Sequence, residues 1–315
     1  MTAGPPPLHW IWGDAAARKA WRRYWIRDVL RGWNAIFWHH LLSAGGIDWC
    51  SEVGATLGLA SGRLQVAAAR RVRESLKRLR PDLAADLDSA QRRVWSNMGR
   101  ALAEVSVQPR IWDSDRTRVV GEEHILAARA SGRGRIYITL HMAAWELIGP
   151  KLMEYGERGH VFYLPQPNRF RARIADKLRS GFPGVMLPPT AESARRVLRG
   201  LKNEDKTFIM LVDEVSGGRV QFPAFDRPLD PDCNLAKIVR MAQMSGALVV
   251  PLYVIRQGGA RFEMHVMAPV DLADLARDEA GLQTGMARLN ALLEPAVIAN
   301  LEQWFMLPAL DLEAG

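Results

Sequence analysis

His141 and Glu146, in the run His-Met-Ala-Ala-Trp-Glu, have the residue types for acid–base chemistry. Imidazole can take a proton from a hydroxyl near neutral pH. A carboxylate bonded to its other ring nitrogen fixes the tautomer and stabilises the imidazolium. Together they suit activation of an attacking hydroxyl. Spacing sets a condition. Five residues of regular helix turn through roughly 500°, leaving the two side chains about 140° apart. Pairing is easier with His141 in a turn and Glu146 in the first helical turns, where the macrodipole also favours an acid. Taken alone, the spacing equally fits a surface histidine beside an N-terminal helix glutamate.

The flanking sequence supplies that setting. Residues 135–140 (RIYITL) form an expected β-branched strand, and the motif leads from it into a helix. Further strands are expected at 160–165, 184–188, 207–213 and 247–256, with an antiparallel one at 260–270. Helices are expected at 66–80, 86–107, 167–180, 191–203, 231–246 and 281–303, the last tolerating or bending at Pro295. Strands alternating with helices predict an α/β fold with a mixed, mostly parallel central sheet flanked by helices. Ligands in such sheets sit beyond the carboxyl ends of the strands, where the motif falls. Two regions are expected: an N-terminal helical, membrane-associated segment at 1–65 and the α/β domain at 66–315.

Composition bears on the partners. The 315 residues carry a formal charge of +8, which suggests an acidic partner: nucleic acid, an anionic membrane or an acidic carrier protein. No recognition-helix, RNA-binding or zinc-finger signature supports nucleic acid. Cys50 and Cys233 form neither a disulfide framework nor a metal spacing. No G-x-S-x-G elbow points to a serine hydrolase. Trp10, Trp12, Trp21, Trp25, Trp33, Trp38 and Trp49 crowd the first 50 residues, interleaved with Arg18, Lys19, Arg22, Arg23, Arg27 and Arg31. Indole favours the membrane–water boundary and arginine favours anionic headgroups, so a helix lying on a bilayer is expected. The stretch from Trp33 to Ile47 is too short and polar to span one.

Four blocks in order carry a resemblance: His141 to Glu146 with Trp145 before the acid; YLPQPN (163–168), followed by Arg169, Arg171, Arg173 and Arg179; VDEVSGG (212–218), followed by VQFPAF (220–225); and AQMSGALVVP, ending at Pro251. With looser matches upstream, the chain resembles the late acyltransferases of lipid A biosynthesis, within the lysophospholipid acyltransferase superfamily, over roughly residues 30–305. Leu164 stands where that family usually has arginine. Phe-Met-Leu-Pro-Ala-Leu follows Trp304 where the family often has a basic run.

The resemblance implies an O-acyltransferase. His141 would act as general base and Glu146 would orient it. Acyl carrier protein or acyl-coenzyme A would be the thioester donor, and a lipid A precursor or related glycolipid the acceptor. Another glycolipid, a lysophospholipid, or a non-catalytic lipid-binding role remain the alternatives. The implied site of action is the cytoplasmic face of the inner membrane, against its anionic surface. No cofactor or metal is expected. Substrate contacts are expected from Asn168, Arg169, Arg179, Asp213, Gly217 and Gly218. Asn168 equally suits a helix cap, and the two glycines a turn. An acidic carrier would have a dock at Arg70, Arg71, Arg73, Lys77, Arg78 and Arg80, a helix that could instead face anionic lipid. The acyl groove has candidate linings in Leu147, Ile148, Leu152, Phe222 and Phe225.

Overall fold

The computed structural model describes residues 4–163, 168–179, 184–203 and 206–312, with the side chains of 178, 179 and 203 excepted. Strand β2 (Arg135–Thr139) is buried at every position and lies at the centre of a seven-stranded sheet. Its neighbours are β5 (Thr207–Leu211) and β8 (Leu248–Gly258), both parallel to it. Such double burial explains a strand that is apolar on both faces. Outward from β5 come β3 (Gly159–Phe162) and β4 (Val185–Leu187), also parallel. Outward from β8 come β9 (Arg261–Val266), antiparallel, then β1 (Thr117–Val120), parallel to β9.

The sheet is therefore mixed and mostly parallel, as expected. Strand β1 was not foreseen, and neither was the small hairpin of β6 (Val215–Ser216) and β7 (Arg219–Val220). The antiparallel strand foreseen at 260–270 ends at Val266.

Side chains alternate across β2 and so divide the core in two. Ile136 and Ile138 face one layer, with α4 (Val66–Leu79), α5 (Leu87–Glu104), α10 (Ala191–Asn203), α11 (Asn234–Ser245) and α12 (Glu279–Ala299). Tyr137 faces the other, with α6 (Gln108–Trp112), α7 (Glu122–Ala130) and α8 (Ile148–Glu154). Helix α12 continues through Pro295 to Ala299. Arg135 is buried where β2 begins. It donates to both oxygens of Glu157, at 2.7 and 3.0 Å, and the Tyr137 hydroxyl donates to the same carboxylate. Each buried charge is thereby paired.

The N-terminal residues form α1 (Ala15–Arg22), a π-helical run (Arg23–Arg27), α2 (Asp28–Ala44) and α3 (Ile47–Leu64). Gly54, Gly58 and Gly62 line one side of α3 at four-residue spacing. They let it approach α5 so closely that a Cβ on Gly58 would lie 2.1 Å from the Trp95 carbonyl oxygen. Helix α2 leaves Ile26, Leu30, Trp33, Phe37 and Leu41, counted from the end of the π run, exposed at spacings of three or four, hence on one face. Among the described residues no helix is long and apolar enough to cross a membrane.

Candidate active site

Register brings the site together. Strands β2 and β5 pair with Thr139 opposite Leu211, and the ladder continues when the Val212 N–H donates to the Thr139 carbonyl. Two residues past each partner stand His141 and Asp213, at the carboxyl ends of adjacent parallel strands. The His141 backbone N–H donates to Asp213 Oδ2 at 2.8 Å, and His141 Nδ1 lies 2.8 Å from Asp213 Oδ1. Trp304 Nε1 donates to Asp213 Oδ2 at 2.8 Å. Asp213 is fully buried, whereas the His141 side chain is 24% exposed. A carboxylate oxygen only accepts, so Nδ1 carries the proton and Nε2 presents its lone pair.

Glu146 was expected to hold the imidazole; at Nδ1 the partner is Asp213. Asp213, anticipated as a substrate contact, is here a partner of histidine. Glu146 lies where the spacing argument wanted it, in the first turn of a helical run that starts as a 3-10 turn (Trp145–Leu147) and continues as α8. It lines the same cavity as His141.

The C-terminal segment clamps the His141 turn. Phe305 N–H donates to the His141 carbonyl, and Ala143 N–H donates to the Gln303 carbonyl. Gln303 is fixed to β8 by receiving the Arg256 N–H and donating back to its carbonyl. The rings of His141, Trp145 and Phe305 follow in sequence, with centroids 5.0 and 5.2 Å apart. Ala143 holds a left-handed φ of 44°, a costly conformation for a residue with a Cβ. The clamp on both sides maintains it.

A cavity of about 400 Å³ opens beside His141 and Glu146. It falls in the range of roughly 300–1,000 Å³ typical of small-molecule sites. Val105, Ile148, Val161, Phe162, Met186 and Ile209 give it apolar walls; Gln108, Thr139, Glu214 and Asn234 add polar atoms. Burial pushes the Glu214 carboxyl above the ordinary glutamate range. Of the anticipated groove residues Ile148 lines this cavity, while Leu152, Phe222 and Phe225 are core. Gln108, Trp112 and Asn234 had no sequence signal, because nothing local announces that α6 and α11 converge on one cleft.

The remaining anticipated contacts lie elsewhere. Asn168 caps α9 (Arg169–Arg179): its Oδ1 accepts from the Phe170 and Arg171 N–H groups at 3.0 and 3.3 Å, and its amide donates to the Asp28 carbonyl. Arg169 donates to the Tyr24 carbonyl at 3.0 Å, with its guanidinium 3.9 Å from the Tyr24 ring centroid. The Phe170 ring fills the space of the missing Gly32 side chain. Asn168 and Arg169 thus fasten α9 to the N-terminal helices. Ala175, further along α9, lines the cavity. The side chain of Arg179 lies outside the described residues. Gly217 and Gly218 form the exposed β6–β7 turn with φ of 59° and 80° and do not line the cavity.

The sequence model of the family described as bacterial lipid A biosynthesis acyltransferase matches residues 18–310. A search of curated proteins finds no match. Among solved structures, the 1-acyl-sn-glycerophosphate (LPA) acyltransferase PlsC from Thermotoga maritima is similar at 14% identity and a TM-score of 0.37. The similarity covers 75% of this chain and 98% of that one.

Proposed function

The chain belongs to the bacterial lipid A biosynthesis acyltransferase family, and from that premise we propose that it moves a fatty acyl group from a thioester, on acyl carrier protein or coenzyme A, to a hydroxyl of a lipid A precursor or related glycolipid. The observation that carries this reading is the buried Asp213 on Nδ1 of a partly exposed His141 at the edge of an apolar cavity. His141 Nε2 removes the proton of the acceptor hydroxyl as its oxygen attacks the thioester carbonyl. Asp213 stabilises the imidazolium that forms. Glu146, which lines the same cavity, would add a second negative charge near that cation. The tetrahedral oxyanion collapses, the C–S bond breaks, and the imidazolium returns its proton to the thiolate. The first N–H groups of the 145–154 helical run are the assigned donors to the oxyanion. The cavity takes the hydrocarbon chain.

The exposed Ile26, Leu30, Trp33, Phe37 and Leu41, with Arg23, Arg27 and Arg31 around them, support residence on an anionic bilayer, at the cytoplasmic face of the inner membrane. A second reading, a different glycolipid or a lysophospholipid as acceptor, has one observation in its favour. Leu307 and Leu310, where the family often has basic residues after the tryptophan, are buried core. A merely lipid-binding role would have no use for the His141–Asp213 pair.

The test is transfer of labelled acyl groups from either donor into a membrane-lipid extract, with the product identified by mass. An acylated lipid A precursor is expected. An acylated lysophospholipid would shift the acceptor, and a folded, vesicle-bound protein that labels nothing would remove the enzyme reading.

A further inference from the structure

Helix α10 is amphipathic in an unusual way. Ser193, Val197, Gly200 and Leu201 are its buried positions, and Val197 and Leu201 join the core layer of Ile136 and Phe208. Its outer side carries Arg195, Arg196, Arg199 and Lys202, all exposed. Glu192, in the first turn, is the single acid of the helix. None of the four cations has an ion pair or side-chain hydrogen bond among the described residues. Arg195, Arg199 and Lys202 lie within about 60° of one another around the axis and span roughly 10 Å along it.

The basic helix α4 differs. Arg73 pairs with Asp88, Arg80 with Asp82 and Lys77 with Glu74. Arg71 and Arg78 donate to the carbonyls of Pro308 and Leu312. Most of its cations thus have a partner within the fold.

Position gives α10 a use. It starts at the cavity: Met186 on β4 and Pro189 line the wall, and Thr190 caps the helix by accepting the Ser193 N–H. It also lies on the sheet layer opposite α2 and its exposed apolar face. A bilayer held by α2 therefore leaves α10 available to a partner in solution. No large apolar side chain of α10 is exposed for insertion into lipid. The cations spread along two helical turns instead of converging on one point, as a single phosphate would require. They match a line of acidic side chains on a protein.

We propose that the outer face of α10 docks an acidic carrier protein that presents the acyl chain as a thioester at the adjoining cavity. This rests on the acyl-transfer reading. Electrostatic complementarity of this kind acts mainly through encounter and is weakened by salt.

The experiment compares full-length protein with Arg195→Glu/Arg199→Glu, and with Arg195→Ala/Arg199→Ala should the reversal not fold. Transfer is measured from acyl carrier protein thioester and from the corresponding acyl-pantetheine, which has no protein to dock. We expect kcat/KM to fall about tenfold or more with the protein donor and to stay within about twofold with acyl-pantetheine. Added salt should reduce the wild-type rate toward that of the variant. Equal losses on both donors, or none on the protein donor, would overturn the proposal. So would unchanged donor kinetics with weakened binding to anionic vesicles, which would make α10 a membrane face. Should the wild type transfer from neither donor, the acyl-transfer reading fails separately. Anisotropy titration with labelled acyl carrier protein then decides docking: salt-sensitive binding lost in the variant supports it, and no binding overturns it.

Discussion

Asp213 has three donors on its buried carboxylate, and removing its charge separates orientation from packing. An asparagine at 213 keeps the shape but offers an amide in place of an acceptor-only group, favouring the wrong imidazole tautomer. Asp213→Asn should lower kcat by about 10²- to 10⁴-fold with little change in acceptor KM, read from steady-state kinetics. A rate within a few-fold of wild type would return the orienting role to Glu146. Trp304→Phe removes one donor while keeping a ring against Phe225, whose centroid is 5.6 Å away. A stability loss of about 1 kcal/mol is expected in urea titration. At this scale the sequence exposed the histidine and its candidate acids, but not which acid faces Nδ1. Proximity along the chain favoured Glu146, whereas Asp213 is 72 residues away and reaches His141 through strand pairing. The tryptophan hydrogen bond had no pattern to announce it.

Among the elements, the α3–α5 contact depends on absent side chains. A Cβ on Gly99 would lie 2.0 Å from the Gly54 carbonyl oxygen, and one on Gly58 equally close to that of Trp95. These are backbone atoms, which cannot rotate aside. Gly58→Ala and Gly99→Ala should each destabilise the protein by about 1–3 kcal/mol, seen as a lower thermal midpoint; an unchanged midpoint would mean the helices separate freely. The central strands and the helices between them were legible because burial on both faces leaves long apolar runs. Strand β1 was not: Thr-Arg-Val-Val is short and only its first residue is fully buried. Strand order is also unwritten in periodicity, so the adjacency of β2 and β5, on which the site depends, had to come from the fold.

For the whole molecule, the basic residues behind the net charge of +8 have different uses. Part borders the apolar face of α2. Trp33→Glu/Phe37→Glu should weaken association with anionic vesicles in flotation assays while leaving transfer to detergent-dispersed acceptor largely intact; full retention on vesicles would exclude α2 as the attachment. Other charges are structural. Arg133 bonds both oxygens of Asp271 and holds its carboxyl at about 2, below the ordinary 3.8. A carboxyl depressed on folding contributes stability above its unfolded value and loses it as pH falls through the folded one. Asp271→Asn should therefore cost at most about 1 kcal/mol at neutral pH, the pair being exposed, and the gap from wild type should close between pH 4 and 2. A pH-independent gap would show that the charge contributes nothing.

The central claim, base catalysis by His141 in acyl transfer, is tested most directly by single-turnover transfer of a radiolabelled acyl group from acyl carrier protein to a purified lipid A precursor. Wild type and His141→Ala are compared at equal vesicle occupancy. The account predicts a labelled ester with the wild type and a rate lower by several orders of magnitude in the variant, with folding and binding retained. Equal labelling by both proteins would contradict it.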